Sequence, residues 1–523
     1  MFTRSMRQRW AWFAVQVCLM VAACSLPAAD QPQFGQRWSR NMVSEEKGLP
    51  DSFDPPTGRN VKWSARLGSE TYATPVVARG RVFIGTNNNP PRDPKHSGDR
   101  SVLLGLEEQT GRFLWQFVAP KLTNSIFWDW PNAGICSPAT VDGDRVYLVG
   151  NRGEVLCLDA LGLTNGNDGP YRDEARHAVP LGAEPVELST NDADIIWLFD
   201  YVKECGVRQH DQAHGSPLVL GDFLYVNTSN GVDDSHKKIM SPDASSLIVL
   251  DKHTGQLVAQ DNERIGPRIF HSTWSSPALA AVNGREQIIF CGGDGVVYAF
   301  EPVIPRAADI LPAEQNARPA GGAPGARSVA SLKKVWSFDC DPSAPKENVH
   351  RYNSNRKESP SNIKSMPVFH RNHVFVTVGG DLWWGKHQAW LKCIDATKTG
   401  DITQTGEVWS YPLERHCMAT PAIHGGLVFV GDSGQRLHCV DAETGRPYWI
   451  HDVKGQVWAS PLVADGKVYF ATQKGEFLVF AESKEKKLLS EINLGSAING
   501  TPVAANGVLY ITTMKQLFAV QAR

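Results

Sequence analysis

Apolar residues in this chain fall in short runs bounded by Gly, Asp-Gly or a small hydroxylated residue followed by proline. The opening run is written eight times: Thr74-Pro75-Val76-Val77, Ser137-Pro138-Ala139, Ser216-Pro217-Leu218, Ser276-Pro277-Ala278, the variant Ser365-Met366-Pro367-Val368, Thr420-Pro421-Ala422, Ser460-Pro461-Leu462 and Thr501-Pro502-Val503. In the simplest copies Pro421, Pro461 and Pro502 recur at about 40 residues, the period of a four-stranded propeller blade. One such copy reads Ser460-Pro461-Leu462-Val463 for strand A, Lys467-Val468-Tyr469-Phe470 for B, Glu476-Phe477-Leu478-Val479-Phe480 for C and Leu488-Leu489-Ser490-Glu491-Ile492 for D. Proline opens strand A, where no ladder donor is lost, and Asp465-Gly466 and Lys474-Gly475 turn the hairpins. A unit this small cannot bury its own apolar face and must stack on its copies. The pattern predicts an all-β, eight-bladed propeller of four-stranded antiparallel blades.

Strand D often carries a tryptophan: Trp115, Trp197, Trp336, Trp409 and Trp449. Each would bury roughly 150–250 Å² between neighbouring blades, making a girdle around the ring. The last copy stops at strand C, Gln516-Leu517-Phe518-Ala519-Val520, and its missing strand D is expected at about 61–66, with Trp63 in the tryptophan slot. Insertions at about 87–100, 228–245 and 379–389 fall between strands B and C and should wall one mouth of the axial channel. Those at about 160–193 and 302–333 fall between C and D, on the other face; the stretch 319–326, rich in Ala, Pro and Gly, is expected to be loosely packed.

Composition changes this picture little. A formal charge of -2 offers no field for nucleic acid, and 16 Trp with 46 Gly and 33 Pro suit short strands and many turns. Three of the ten cysteines, Cys157, Cys393 and Cys439, share one strand slot with Gly105, Val249, Ala299 and Ala519, so they are small buried packing residues. No Cys-x-x-Cys pair for zinc or haem is present. The N-terminus reads as a targeting segment: Arg4, Arg7 and Arg9 precede an apolar run over 10–23, shorter than the roughly 20 residues a membrane span needs. Val21-Ala22-Ala23-Cys24 then resembles a lipobox, with Cys24 the lipidated residue, beside ordinary cleavage near Ala23 or Ala29. The expected organisation is a leader over 1–29, an extension over 30–59 and one propeller over 60–523, exported to the periplasm or outer membrane, or otherwise secreted, and monomeric.

Strand C, turn and strand D, as in Gly105-Leu106-Glu107-Glu108-Gln109-Thr110-Gly111-Arg112-Phe113-Leu114-Trp115, resemble the tryptophan-docking motif of quinoprotein propellers, and the resemblance covers nearly the whole mature chain. That superfamily mixes dehydrogenases holding pyrroloquinoline quinone with cofactor-free relatives such as the lipoprotein scaffold of outer-membrane β-barrel assembly. The dehydrogenase chemistry implies a Trp floor, two adjacent disulfide-bonded cysteines, a hard cation held by Glu, Asn and Asp, and an Asp base. This chain has only Cys136 near the expected cysteine pair. The family's His-Asp-x-Trp-Asp aligns with His271-Ser272-Thr273-Trp274-Ser275, so both acids are serine. The cation-binding amide aligns with Asn230; Asp211 or Asp233 could stand in as base.

Three readings follow. One is an assembly scaffold anchored to the membrane through a lipidated Cys24. Another is a non-catalytic scaffold, with no cofactor and no metal, that presents the mouth to a small-molecule or protein ligand, without nucleic acid. The alternative is a divergent quinoprotein alcohol or sugar dehydrogenase using pyrroloquinoline quinone and Ca²⁺, with Asn230, Trp274, His271, Arg415 and Trp458 as its cofactor-binding residues. Residues just before each strand A ring the mouth: Tyr72, Asn132, His210 with His214, His271 with Trp274, Lys364, Arg415 with His416, Trp458 and Asn499. His214, Lys364, His416 and the adjacent Trp383-Trp384 are the expected ligand-binding residues of that mouth. His210-Asp211-x-x-His214 offers imidazole and carboxylate at short spacing but reads more simply as a surface loop.

Overall fold

The computed structural model describes residues 29–304 and 329–522. The leader, Cys24 and the 319–326 stretch lie outside them. Eight sheets are present among the described residues, each built from successive antiparallel strands. Blade 1 spans 76–120, blade 2 140–200, blade 3 218–260, blade 4 278–339, blade 5 361–413, blade 6 422–452 and blade 7 462–493; blade 8 joins 503–520 to Val61–Arg66. Trp63 lies opposite Ala519 and Ala65 opposite Leu517, so the N-terminal strand completes the last blade as the pattern required.

Two rings of contacts hold the blades together. On the outside, each docking tryptophan reaches the turn of the next blade: Trp63 Nε1 donates to the Glu108 carbonyl at 2.8 Å, Trp115 to Ala160 at 3.0 Å, Trp197 to Lys252 at 3.0 Å, Trp409 to Ala442 at 3.1 Å and Trp449 to Ser483 at 3.0 Å. The Thr-Gly that follows strand C exists for this contact. A Cβ on Gly111 would lie 2.5 Å from the Trp63 ring, and one on Gly445 2.6 Å from Trp409. Trp336 differs, donating to Gln287 within its own blade. Blade 7 carries Ser490 and blade 3 Ala259 where the remaining blades place tryptophan, across from Val479 and Val249. Blade 8 has no C-to-D turn for it to dock on, and Leu49 and Phe53 of the N-terminal segment fill the seam instead.

On the inside, the Ser/Thr of the repeated dipeptide links neighbours. The Ser216 N–H donates to Ser276 Oγ, Met366 to Thr420, Thr420 to Ser460, Ser460 to Thr501, and Thr501 to Thr74, at 2.8–3.1 Å. The last of these bonds closes the ring between blades 8 and 1. The hydroxyl is therefore a blade-to-blade acceptor, and the proline only begins the strand.

The segment read from sequence as an extension closes the axis. Residues 29–46 run round the inner strands and bond to all eight blades. Backbone carbonyls of Gln31, Pro32, Trp38, Ser39 and Met42 accept from Val77, Val141, Leu279, Phe369 and Val463. Asn41 pairs both ways with Ile423, and Ser44 Oγ donates to the Ala504 carbonyl. Val43–Ser44 adds a parallel strand to blade 7. Arg40 is the hub: fully buried, its guanidinium donates to the carbonyls of Phe34, Ser216, Pro217 and Pro277 and to Ser216 Oγ. Burial lowers its pKa to about 9, so it remains a cation at neutral pH.

One insertion departs from its expected face. The 160–194 segment leaves strand C of blade 2 on the far side, then climbs the rim. Its His177 ring meets Glu154, at the opposite end of that strand, 3.0 Å away. Asp192 pairs beside Gln116 on the edge of blade 1, and covering that exposed edge is the physical reason for the detour.

Candidate functional site

A chamber of about 560 Å³ occupies the axis above the plug. Phe34 and Met366 lie at its floor with Thr74, Thr420, Ser460 and Thr501 of the inner hydroxyl ring. Its wall comes from the D-to-A connections (Tyr72, Trp130, Asp211, His214, His271, Trp274, Lys364, Trp458 and Asn499) and from two B-to-C insertions, which supply His236, Trp383 and Trp384. Five tryptophans therefore face one cavity, whose size suits a drug-sized molecule.

The chemistry is concentrated on one side. Asp381, buried at the start of the blade 5 insertion, accepts from the backbone N–H groups of Trp383 and Trp384 through Oδ1, both at 3.0 Å. Its Oδ2 lies 2.8 Å from His271 Nδ1, 3.0 Å from Lys364 Nζ and 3.1 Å from Asn362 Nδ2. One carboxylate thus fixes the aromatic loop, a cation and an imidazole. Burial opposes its charge, but Lys364 and His271 outweigh this and hold its pKa well below the usual carboxylate range. Burial lowers the Lys364 pKa, with Asp381 working the other way. The ammonium sits 4.0 Å from the Trp274 ring and 4.2 Å from that of Trp383, a cation between two aromatic faces.

Beside it, His210, His236 and His271 bring their rings together, with centroids 4.6, 5.0 and 5.2 Å apart. Burial drives the pKa of His210 down to about 3. For His271 burial acts in the same direction, yet Asp381 and Asp211 more than offset it and raise the pKa. Asp211 also accepts from Trp130 Nε1 at 2.7 Å.

Of the residues expected at the mouth, His214, His271, Trp274, Lys364, Trp383, Trp384 and Trp458 line one chamber. Asn230, Arg415 and His416 do not. Asn230 is fully buried, its side chain engaged with the Ser241 carbonyl and the Arg208 N–H. His416 is buried off the cavity, and its pKa is lowered to about 3 by burial and by Lys364. Sequence reasoning missed Asp381, His236 and the 341–360 connection. In that connection Arg356 donates to the Trp383 and Gly385 carbonyls and Asn353 to that of His236, bracing both insertions. The available signal was a titratable residue inside each B-to-C insertion.

The donor set does not match the quinone-and-calcium centre that the resemblance implies. Ser272 Oγ donates to the His210 carbonyl where the family has an acid, and Asn230 is committed behind the wall. Cys136 stands without a neighbouring cysteine, its thiol pushed up to about 12 by burial. The carboxylates on this side, Asp211 and Asp381, are engaged by His271 and Lys364, and three imidazole nitrogens stand where a hard cation would need further oxygens.

The family described as outer membrane protein assembly factor BamB matches residues 40–167 and 388–488. The fold is similar to that of BamB from Moraxella catarrhalis, at 13% identity and a TM-score of 0.51, over 88% of this chain and 96% of that one. A europium-containing methanol dehydrogenase is similar at 12% identity and a TM-score of 0.57, over 94% and 98% of the two chains. The computationally designed Ika8 protein is similar at 10% identity and a TM-score of 0.50, over 88% and 99%. Among curated proteins none matches the chain. At such identities the structural likenesses carry the fold alone.

Proposed function

From a chain that belongs to the PQQ-like eight-bladed propellers, we propose an exported, non-catalytic binding protein whose axial chamber takes a flat, largely apolar small molecule bearing oxygen acceptors. The observation that carries this reading is a cavity of about 560 Å³ faced by five tryptophans, with its far end closed by residues 29–46. A scaffold that only docks proteins needs an outer face. It has no use for a deep, aromatic, plugged chamber with a buried ammonium in its wall. The half-buried Trp384 and Trp458 supply stacking faces, and the Tyr72 hydroxyl and Asn499 amide supply groups that an anionic or carbonyl oxygen would meet. Export rests on the leader-like 1–29 segment, and lipidation at Cys24 would tether the propeller to a membrane.

Tryptophan fluorescence tests the reading. Titration with planar aromatic acids and quinones, pyrroloquinoline quinone with and without Ca²⁺ among them, should give saturable quenching that Trp458→Ala weakens at least tenfold. Quenching that never saturates across the panel, or that is identical in Trp458→Ala, sinks the proposal. Quinone- and Ca²⁺-dependent dye reduction with alcohols or sugars would replace it with the dehydrogenase. In cell fractionation Cys24→Ala should move the protein from the membrane to the soluble fraction; unchanged partitioning removes the lipid anchor.

A further inference from the structure

We propose that His210, His236 and His271, together with Asp211, form a binding site for one divalent transition-metal ion on the wall of the axial chamber. The three imidazoles come from separate pieces of chain: two successive D-to-A connections and the blade 3 insertion. Their ligand atoms all lie within 4.8 Å of one another. His210 Nε2 is 3.0 Å from His236 Nε2 and 3.6 Å from Asp211 Oδ1, and His271 Nε2 is 3.1 Å from Asp211 Oδ2. A tetrahedral ion with ligands at 2.0–2.1 Å has edges of about 3.3–3.4 Å, so these separations suit one centre.

The outer hydrogen bonds select the ligating tautomer. His210 Nδ1 lies 2.9 Å from the Val232 carbonyl, which can only accept, so Nδ1 carries the proton and Nε2 presents a lone pair. His271 Nδ1 faces the Asp381 carboxylate at 2.8 Å in the same way, the carboxylate–histidine arrangement that orients metal ligands. The consequence is a crowd of electron-rich atoms. His271 Nε2 is buried and has no hydrogen-bond partner, although an Asp211 oxygen lies beside it. A cation at the centre resolves this conflict. Asp211 and His236 both hold φ of 56°, a strained backbone that brings carboxylate and ring inward. His236, His271 and Asp211 also face the chamber, so a vacant coordination position would open onto it.

Three imidazoles and one carboxylate suit Zn²⁺, Co²⁺ or Cu²⁺ better than Ca²⁺. This inference shares the chamber with the function proposed above but is read without any organic ligand, so either can fail alone. The test uses the full chain freed of metal by chelation and dialysis, titrated with Zn²⁺ against a chromophoric chelator, then with Co²⁺ for its visible d–d bands. One equivalent of Zn²⁺ should bind, and Co²⁺ should give the intense bands of a four- or five-coordinate site. His236→Ala, a change in an insertion loop, should weaken Zn²⁺ at least 100-fold, and Asp211→Asn about 10–100-fold. His253→Ala, an exposed histidine on the outer turn of blade 3, should bind as the parent does. Circular dichroism verifies that each variant is folded. Absence of a saturable equivalent for Zn²⁺ and Co²⁺ overturns the proposal, as does binding that survives His236→Ala in a folded protein. In the first event, an NMR signature of His271 as an imidazolium between Asp211 and Asp381 would identify the cation as a proton.

Discussion

Blades 6 to 8 and blades 3 to 5 are written in the same four-strand repeat, yet they bring opposite things to the axis. Blades 6 to 8 connect their strands by short turns and, with the connections before them, offer the chamber Trp458, Asn499 and the hydroxyls of Thr420, Ser460 and Thr501. Blades 3 to 5 carry long insertions, and through these and the connections before them come His236, His271, Lys364, Asp381, Trp383 and Trp384. The repeat alone therefore makes a frame with near-equivalent walls. Chemistry enters where the repeat is interrupted, since a strand slot shared across copies has to stay small and apolar while an insertion does not. Variants that strike the frame should cost stability and leave the loops to follow, whereas variants in the inserted wall should alter the chamber first.

The frame's weakest single point is its plug. Arg40→Ala removes five hydrogen bonds and orphans the carbonyls of Phe34, Ser216 and Pro277, while that of Pro217 keeps Thr140 Oγ1. At 1 kcal/mol or more for each buried acceptor left without a donor, the loss should be about 3–4 kcal/mol, read by denaturant unfolding. A loss under about 1 kcal/mol would mean that water replaces the guanidinium and that the plug is not structural. In the inserted wall, Asp381→Asn leaves the Lys364 ammonium buried without its counter-charge and should cost about 3–4 kcal/mol. The double variant Asp381→Asn with Lys364→Met should cost clearly less than the two single changes added together. Simple additivity would show that the two groups do not act as a pair.

Closure of the ring gives the next smaller effect. Trp63→Ala empties the slot on Gly111 and removes the bond to the Glu108 carbonyl. A loss of about 3 kcal/mol is expected, with hydrogen exchange rising first at 61–66 and 516–520. Uniform loosening of all eight blades would instead argue that the N-terminal strand is no separate clasp.

Much of this frame was legible from residues alone, because its determinants are local and repeated. Ser/Thr-Pro, Asp-x-x-Thr-Gly and the strand D tryptophan each recur at fixed offsets, so their number gives the blades and the truncated last copy gives the closure. The ring of residues before each strand A could be read off the same register, which is why His214, His271, Trp274, Lys364 and Trp458 fall in one chamber. What stayed hidden is non-repeated. Residues 29–46 have no strand pattern of their own; their structure is imposed by the inner strands they meet, and nothing in Arg40 itself announces a fully buried hub. His236 and Asp381 were invisible for a related reason. An insertion's path is set by its neighbours, here Asn353 and Arg356 of the 341–360 connection. The alignment that favoured Asn230 followed a short turn motif, and the chain buries that side chain against Ser241 and Arg208.

The finest test separates the rim insertion of blade 2 from the uninserted blade 7. Asp192 accepts from the Ser189 N–H at 2.7 Å and pairs with Lys95 at 2.7 Å, tying the 160–194 segment to the insertion of blade 1. Burial acts to raise its pKa, but the bonds from His96, Lys95 and Ser189 prevail and bring it down to about 2. A carboxyl whose pKa is depressed on folding binds fewer protons in the folded state than in the unfolded one between the two values. Its contribution is therefore complete above about pH 4 and fades as the pH falls toward 2. The effect should be local and about 1 kcal/mol after solvent screening. Amides around 188–193 should lose exchange protection across that window while those of Leu462–Ala464 and Lys467–Ala471 keep theirs. Asp192→Asn should make the insertion equally loose at pH 7, because the amide cannot offer the charge that Lys95 meets. If the variant at neutral pH instead exchanges like the parent, packing of His177 between Glu154 and Phe117 holds the segment, and the ion pair is incidental.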